Sequence, residues 1–306
     1  MSVGDYPVMI QIGIDFGGTK IEAAALGRGG DVVARRRVPT PRTYDEAIAA
    51  VRDLVGHIEA ELGEQGTVGI GVPGSIGPRD GLMRNANATF LNGRNLADDL
   101  CAALQREVRV ANDANCMALS EAVDGAAVGA AVTFGVIVGT GVGGGLVVDG
   151  RIVEGASGIG GEWGHLPLPW MRADEFPGPA CWCGRHGCLD MLVSGTGLQR
   201  DHQARTGYAL DAPAIVAAAR GGEAAARASL DAYIDRLGRA LAMVVDIVDP
   251  DLLVLAGGMS NVEDLYTEVP PIIAAYCFGG TWDGRIVQAR WGDASGVRGA
   301  ARLWPR

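Results

Sequence analysis

Apolar runs of strand length alternate along this chain with longer segments of helical periodicity. Residues 8–15 and 132–138 are β-rich, and each run meets a glycine-containing turn that is followed by a second apolar run. This order predicts a β-hairpin at each place, with a turn that can face a ligand. Because the unit occurs twice, it indicates a duplicated lobe, each lobe offering one turn to a shared cleft.

Helices are predicted between the two hairpins and after them. Residues 44–62 have helical periodicity and end at Gly63, residues 114–128 follow a predicted strand, and apolar positions recur at gaps of three and four over residues 230–248. Further buried strands are predicted at residues 68–74 and 252–258. Strands that alternate with helices favour an α/β protein. Since no Ser-, Gly- or Pro-rich linker divides the chain, we expect the lobe boundary at a hinge near Asn112.

Charge and composition exclude several classes of function. A net charge of −10 would repel a polyanion, and the basic run at residues 35–37 lies in a predicted strand as a solvated edge, so we expect no nucleic-acid partner. The apolar run at 129–148 contains seven glycines and no secretory signal precedes it, so we expect no membrane association. Six cysteines without such a signal indicate a cytoplasmic, reducing compartment.

The first glycine turn has the composition of a phosphate loop. DFGGTK places an acid, two glycines, a hydroxyl and a cation at Asp15, Gly17, Gly18, Thr19 and Lys20. Glycines let backbone N–H groups approach a phosphate, and an acid at the strand end can hold Mg²⁺ through water. A plain hairpin turn is the alternative interpretation.

Two further glycine segments favour the phosphate interpretation. GTGVGGG (139–145) follows an apolar run and adds Thr140, so two turns of the same character predict a phosphate clamp. In LAGG (255–258), missing side chains would let a base or a ribose lie on the backbone.

Two pairs of polar residues have a structural and a functional interpretation. Asn112 and Asp113 lie between a predicted strand and a predicted helix, where both residue types commonly cap helices. Glu162 and His165 lie three apart in GIGGEWGHLPL and could be a capping acid and a structural histidine, or part of a sugar site. The residues alone favour capping for the first pair and leave the second open.

A cluster of cysteines predicts a metal site. Cys181, Cys183 and Cys188 lie within eight residues that also contain two glycines, which let a short loop wrap around an ion. Zinc needs a fourth ligand, and His165 and His186 are the local candidates, with His165 in the better context. Three unrelated thiols in a loop are the alternative.

Taken in order, these motifs resemble the ROK family of sugar kinases and repressors. DFGGTK, the Asn112–Asp113 pair, GTGVGGG, GEWGH and CWCGRHGC carry the resemblance, which covers nearly the whole chain. RNANATFLNG and HLPLPWM look most similar to the bacterial fructokinases, within a fructokinase and mannokinase subgroup.

The resemblance implies a two-lobed actin/hexokinase-like (ribonuclease H-like) α/β fold with a central cleft. Residues 1–112 would form the small lobe, with a C-terminal helix at about 294–306 packing back on it, and residues 113–293 the large lobe with the zinc loop. A homodimer is expected from the same resemblance.

The resemblance also assigns roles to residues. Asp113 would be the base that faces the sugar hydroxyl, and structural Zn²⁺ would be held by His165, Cys181, Cys183 and Cys188. Sugar contacts would come from Asn87, Asn112, Asp113, Glu162, His165 and Asp190. ATP and Mg²⁺ would be held by Asp15, Gly17, Gly18, Thr19, Lys20, Thr140, Gly141, Gly257 and Gly258.

The predicted reaction is ATP-dependent phosphorylation of the 6-hydroxyl of a hexose, with fructose first and glucose, mannose or N-acetylglucosamine as alternatives. One position departs from the family, because Asp190 stands where its pattern GCxE has Glu, which puts the sugar contact there in doubt. A repressor would need a DNA-binding module ahead of Asp15, and 14 residues are too few for one. A sugar sensor without catalysis is the remaining rival, and the presence of Asp113 beside Asn112 disfavours it.

Overall fold

The computed structural model describes residues 10–86 and 88–305. Its strands are β1 (Gln11–Phe16), β2 (Lys20–Leu26), β3 (Val32–Pro39), β4 (Thr67–Val72), β5 (Ser75–Ile76), β6 (Met83–Arg84), β7 (Val108–Asn112), β8 (Val132–Val138), β9 (Val142–Val148), β10 (Arg151–Ile152), β11 (Leu252–Ala256) and β12 (Arg285–Gln288). Its α-helices are α1 (Tyr44–Leu62), α2 (Leu96–Leu104), α3 (Asp113–Asp124), α4 (Leu189–Leu192), α5 (Gly195–Thr206), α6 (Ala212–Arg220), α7 (Ala224–Val248), α8 (Asp264–Tyr276) and α9 (Ser295–Ala301).

The described chain divides into two compact units, each built on its own sheet. The first contains the residues up to Val128, Gly150–Gly160 and the chain from Asp293 onwards, and the second contains Gly129–Asp149 and Gly161–Gly292. The sequence places the boundary near Asn112, whereas the structure passes between units after Val128. The reason is that α3 packs against α9, which keeps α3 in the first unit. The α/β class predicted from the sequence is confirmed.

The first unit is a mixed sheet of order β3-β2-β1-β4-β7. Strands β1 and β2 form the predicted antiparallel hairpin, while β1, β4 and β7 run parallel. Helix α1 ends at Gly63, as predicted, where φ is 69° and the backbone N–H bonds the carbonyl of Glu59. Because parallel strands end at one edge of a sheet, the carboxyl ends of β1 and β7 bring Asp15 and Asn112 to the same edge.

Helix α9 lies directly on this sheet at two glycines. Gly13 and Gly69 are register partners on β1 and β4. A Cβ atom at Gly13 would lie 1.9 Å from the carbonyl oxygen of Val297, and one at Gly69 would lie 1.9 Å from that of Ala300. Any larger residue would therefore push the helix off the strands.

The second unit contains the strand order β9-β8-β11-β12, with β8 and β9 antiparallel and β11 parallel to both of its neighbours. The long helix α7 buries Leu230, Leu237 and Leu241 against this sheet's core, as its periodicity predicts. It ends at Asp249, which adopts the left-handed conformation with φ of 46°. Residues 129–148, the longest apolar run, form the β8–β9 hairpin and its lead-in.

Helices that could cross a bilayer are not found in the part of the chain that the structure describes.

Candidate active site

Asn112 ends β7 and caps the helix that follows. Its side-chain oxygen accepts hydrogen bonds from the N–H groups of Ala114 at 2.8 Å and Asn115 at 3.2 Å. Its side-chain nitrogen donates to the carbonyl of Gly74 at 2.8 Å. The capping role is therefore confirmed, and it fixes where helix α3 begins.

Asp113, the predicted base, is the first residue of α3. Its Oδ1 accepts a hydrogen bond from the N–H of Ala114 at 2.8 Å, and the residue is half-buried. The N-terminus of a helix favours a negative charge, so this position stabilises the ionised carboxylate. An aspartate held in one orientation at a sheet edge can receive a proton from a bound hydroxyl group.

Asp15 lies at the end of β1, in a less polar setting. Burial raises the pKa of its carboxyl group, the negative charge of Glu22 raises it further, and Lys20 opposes both. A cation would relieve this destabilisation of the charged form, which suits the predicted magnesium role.

The first glycine turn, which connects β1 to β2, is exposed and is held from one side. The N–H of Gly17 donates to the carbonyl of Lys20 at 3.0 Å and closes the turn. The hydroxyl of Thr40 donates to the carbonyl of Gly17 at 2.6 Å, and the N–H of Thr40 donates to the carbonyl of Thr19 at 3.0 Å. Gly18 is exposed at the tip. Thr40 is a support that the motif did not reveal.

The second glycine turn, which connects β8 to β9, is held from several sides. It closes through the N–H of Gly139, which donates to the carbonyl of Gly141 at 2.9 Å. Asp190, predicted as a sugar contact, accepts a hydrogen bond at Oδ1 from the N–H of Val142 at 2.8 Å. The hydroxyl of Thr196 donates to the carbonyl of Thr140 at 2.6 Å.

A pocket of about 490 Å³ opens beside this second turn, inside the second unit. Thr140 and Gly258, both predicted nucleotide positions, line it. Gly257 adopts a φ of 83°, and a Cβ there would lie 2.6 Å from the carbonyl oxygen of Val138, so glycine is required. The remaining lining is mostly apolar with a few polar groups: Gly139, Gly195, Ala212, Pro213, Val216, Ala217, Met259, Val262, Thr196, Gln199, Arg220 and Asn261.

An apolar lining with a few polar groups suits a flat heterocyclic base. The residues of helix α6 that contribute to this lining were missed by the sequence analysis, because single Ala, Pro and Val residues carry no motif.

The predicted metal ligands converge within the second unit. One donor atom each from His165, Cys181, Cys183 and Cys188 lies within 4.8 Å of the other three. The distance from Cys181 Sγ to His165 Nδ1 is 3.6 Å, and that from Cys183 Sγ to Cys188 Sγ is 3.6 Å. His186, the other candidate, is exposed and is not in the cluster.

The GEWGH segment is anchored by its central residue. Trp163 is buried, donates from Nε1 to the carbonyl of Gly143 at 2.8 Å, and packs edge-on against Phe134. The pKa of Glu162 lies above its ordinary value, because burial of the carboxyl group raises it more than the nearby His165 lowers it. Trp163 thus ties the predicted sugar-contacting segment to strand β9. Asn87, the remaining predicted sugar contact, lies outside the described residues.

Comparison with known proteins gives a consistent result over almost the full chain. A model of the ROK family matches residues 11–306. The chain is 43% identical over 296 residues to an N-acetyl-D-glucosamine kinase from Pectobacterium atrosepticum, covering 95% of this chain and 97% of that protein. It is 42% identical to an N-acetyl-D-glucosamine kinase from Shigella boydii, covering 95% and 98%.

A ROK hexokinase from Thermus thermophilus is 33% identical to the chain and superposes with a TM-score of 0.85, covering 96% of this chain and 97% of that one.

Proposed function

Because this chain belongs to the ROK family of sugar kinases, we propose that it transfers the terminal phosphoryl group of ATP to the 6-hydroxyl of N-acetyl-D-glucosamine. The observation that supports this sugar is the 43% identity, over 95% of the chain, to an N-acetyl-D-glucosamine kinase. The fructose prediction has no support among these comparisons, which favour one of its stated alternatives.

The sequence motifs could not separate these sugars for a physical reason. Hexoses present a similar 6-hydroxyl, so residues that hold phosphates and orient that hydroxyl are the same for each sugar. Discrimination depends on groups that contact the sugar's other substituents, and hydrogen bonds made there reject analogues that lack the partner.

The second unit supplies the proposed nucleotide site. Its pocket would take the base between the apolar side chains of Val216 and Met259, and the glycine turn at Gly139–Gly141 would face the phosphates. In the first unit, the exposed first turn would offer backbone N–H groups to a phosphate, and Asp15 would hold Mg²⁺. ATP would supply the phosphoryl group, and Mg²⁺ would neutralise the charge of its phosphates. Positioning and charge neutralisation are most of what phosphoryl transfer requires.

Asp113 would orient the 6-hydroxyl group and accept its proton. A carboxylate is a weak base, but phosphoryl transfer through a loose transition state needs little proton removal early in the reaction. The hydrogen bond from the N–H of Ala114 and the capped helix start hold this carboxylate in one orientation. Orientation is therefore the larger part of its proposed role.

The four-donor cluster fits zinc. In a regular tetrahedron, two sulfur ligands with Zn–S bonds of about 2.3 Å lie about 3.8 Å apart, and a sulfur lies about 3.6 Å from a histidine nitrogen whose Zn–N bond is about 2.0–2.1 Å. The two measured separations of 3.6 Å are close to these values. Four protein ligands leave no open position, so we assign the ion a structural role that keeps His165 and Glu162 in place.

A coupled ADP-release assay tests the sugar assignment. We expect N-acetylglucosamine to give the highest kcat/KM in a panel with fructose, mannose and glucose, by at least about tenfold, or about 1.4 kcal/mol of transition-state discrimination. A higher kcat/KM for any other hexose would overturn the assignment of N-acetylglucosamine as the substrate and leave the assignment as a sugar kinase unchanged. No sugar-dependent ADP release from any of them would favour the sensor instead.

The predicted homodimer remains a proposal that sedimentation analysis can test.

A further inference from the structure

Two elements on the carboxyl side of the cysteine cluster brace the second glycine turn. The first is Asp190, whose Oδ1 accepts a hydrogen bond from the N–H of Val142 at 2.8 Å. A Cβ atom at Gly141 would lie 2.8 Å from the same oxygen, so the carboxylate fits closely against the turn.

The second element is the start of helix α5, the SGTG segment at residues 194–197. The N–H of Gly195 donates to the carbonyl of Gly139 at 2.7 Å, and the hydroxyl of Thr196 donates to that of Thr140 at 2.6 Å. Two consecutive carbonyl groups of the turn therefore point at helix α5, which sets the orientation of the peptide planes between them.

The backbone of Asp190 connects this brace to the metal-binding segment. Its N–H donates to the carbonyl of Gly164 at 2.8 Å, beside His165, and its carbonyl accepts from the hydroxyl of Ser194 at 2.6 Å. Asp190 thus makes hydrogen bonds to three places: the glycine turn, the start of α5, and the segment that carries His165.

We infer that Asp190 and Thr196 are positioning residues for the phosphate-binding turn, and that Asp190 acts on the nucleotide side of the reaction. The inference rests on the proposed kinase function. The aspartate that departs from the family pattern bonds the turn through one carboxylate oxygen, so removing its side chain should weaken nucleotide binding more than sugar binding. A side chain one methylene longer would have to displace the turn or give up the bond to Val142.

Direct binding of a non-hydrolysable ATP analogue, measured by calorimetry without sugar, tests this inference. Loss of one hydrogen bond weakens binding by about twofold to tenfold. We therefore expect Asp190→Ala to raise the Kd of the analogue about fivefold to tenfold. Asp190→Asn, whose amide oxygen can still accept from Val142, should restore most of the affinity.

Thr196 provides an independent pair of variants. Thr196→Val should raise the Kd about threefold, and Thr196→Ser should return it to the wild-type value. The matched control is Thr206→Val on the same helix, because the hydroxyl of Thr206 also donates to a backbone carbonyl, that of His202 at 2.8 Å, away from the turn. This control should leave the Kd unchanged.

Steady-state kinetics supply the second readout. In Asp190→Ala the KM for ATP should rise while the KM for the sugar stays within about twofold, since the lost bond is to the turn. A larger change in the sugar KM than in the ATP KM would overturn the inference, as would unchanged analogue binding in both Asp190→Ala and Thr196→Val. If the wild-type chain binds no analogue, the proposed function itself fails. Should Asp190→Ala not fold, the Thr196 pair decides.

Discussion

The two glycine turns look alike in sequence and differ in how they are supported. The first is closed by its own backbone bond and held by Thr40. The second is held by a carboxylate, a hydroxyl and a helix N–H that reach it from two separate elements. The comparison teaches that a glycine motif identifies backbone that no side chain covers, while the surrounding contacts determine how rigid that backbone is.

The same contrast extends to the units that carry the turns. The first unit carries the two carboxylates to which we propose roles in the reaction, Asp15 in strand β1 and Asp113 at the start of helix α3. The second unit carries the four-donor cluster and a buried ion network around Arg239, which is fully buried. Arg239 donates to the carbonyl of Trp170 at 2.9 Å and pairs with Glu175 at 2.7 Å, so helix α7 holds the segment that leads to Cys181. We expect Asp113→Asn in the first unit to reduce the rate, and loss of the metal or of the Glu175 ion pairs in the second unit to reduce stability.

Removing the metal should have the largest effect. Cys183→Ser, or treatment with a chelator, should lower the free energy of unfolding by about 5 kcal/mol or more, because a site that binds metal only when folded adds its binding energy to folding. Metal analysis should find about one zinc per chain in the wild type and none in the variant. Cys101→Ser, a free thiol of the first unit, is the control. A zinc-free wild type of unchanged thermal stability would contradict the assignment.

Asp113→Asn should reduce the rate of the reaction and leave the stability of the protein unchanged. The kcat should fall about 10²–10³-fold, the scale of losing a general base, which is about 2.7–4 kcal/mol of the barrier. The melting temperature should not change, because the amide oxygen of Asn can still accept from the N–H of Ala114. Asp53→Asn, at an exposed aspartate of α1, should leave both quantities unchanged. Near wild-type kcat in Asp113→Asn would show that the base is another residue.

Acid should weaken the second unit through Glu175. Burial alone would raise the pKa of this carboxyl group, but hydrogen bonds from Arg239, the N–H of Arg172 and Arg236 hold it at about 2. A folded-state pKa below the ordinary value of 4.5 gives stability that is present above pH 4.5 and lost as the pH falls towards 2. Glu175→Gln should therefore cost about 1.5–3 kcal/mol at pH 6.

That difference should shrink as the pH falls, and urea unfolding at pH 6, 4 and 2.5 would measure it. Glu268→Gln, at the more exposed ion pair with Arg227, is the control and should show little change at any pH. If the difference in the free energy of unfolding between the wild type and Glu175→Gln stayed constant with pH, the ion network would not be the source of this stability.

Loosening the first turn should have the smallest effect. Thr40→Val removes the hydroxyl that donates to Gly17 and should raise the KM for ATP about threefold, since a hydrogen bond contributes about 1 kcal/mol or less. Thr40→Ser should restore the wild-type KM, and neither variant should change the melting temperature. A larger rise than in Asp190→Ala would reverse the contrast between the two turns.

Local pattern was enough to predict both hairpins and the helices α1, α3 and α7. Helix α1 ends at Gly63 and helix α7 ends at Asp249, because periodicity and a left-handed cap are properties of the local sequence. The boundary between units could not be read in the same way. It depends on the packing of α3 against α9, whose residues are far apart along the chain.

The candidate site divides in a similar way. The spacing within one short loop predicted the three cysteines and left His165 and His186 as candidates for the fourth donor, which the family resemblance assigned to His165. The contact of Asp190 with Val142 was not predicted, since it joins residues 48 positions apart and depends on a bond to backbone that leaves no mark in the sequence. Supports made by Thr40 and Thr196 are hidden for the same reason.

The most direct test of the central claim is identification of the product. The wild-type chain, incubated with ATP, Mg²⁺ and N-acetylglucosamine and followed by ³¹P NMR, should form the 6-phosphate of that sugar in equal amount to ADP. Asp113→Asn should form it far more slowly. Release of inorganic phosphate without a phosphorylated sugar, or phosphorylation of fructose in preference to N-acetylglucosamine in a mixture of the two, would contradict the account.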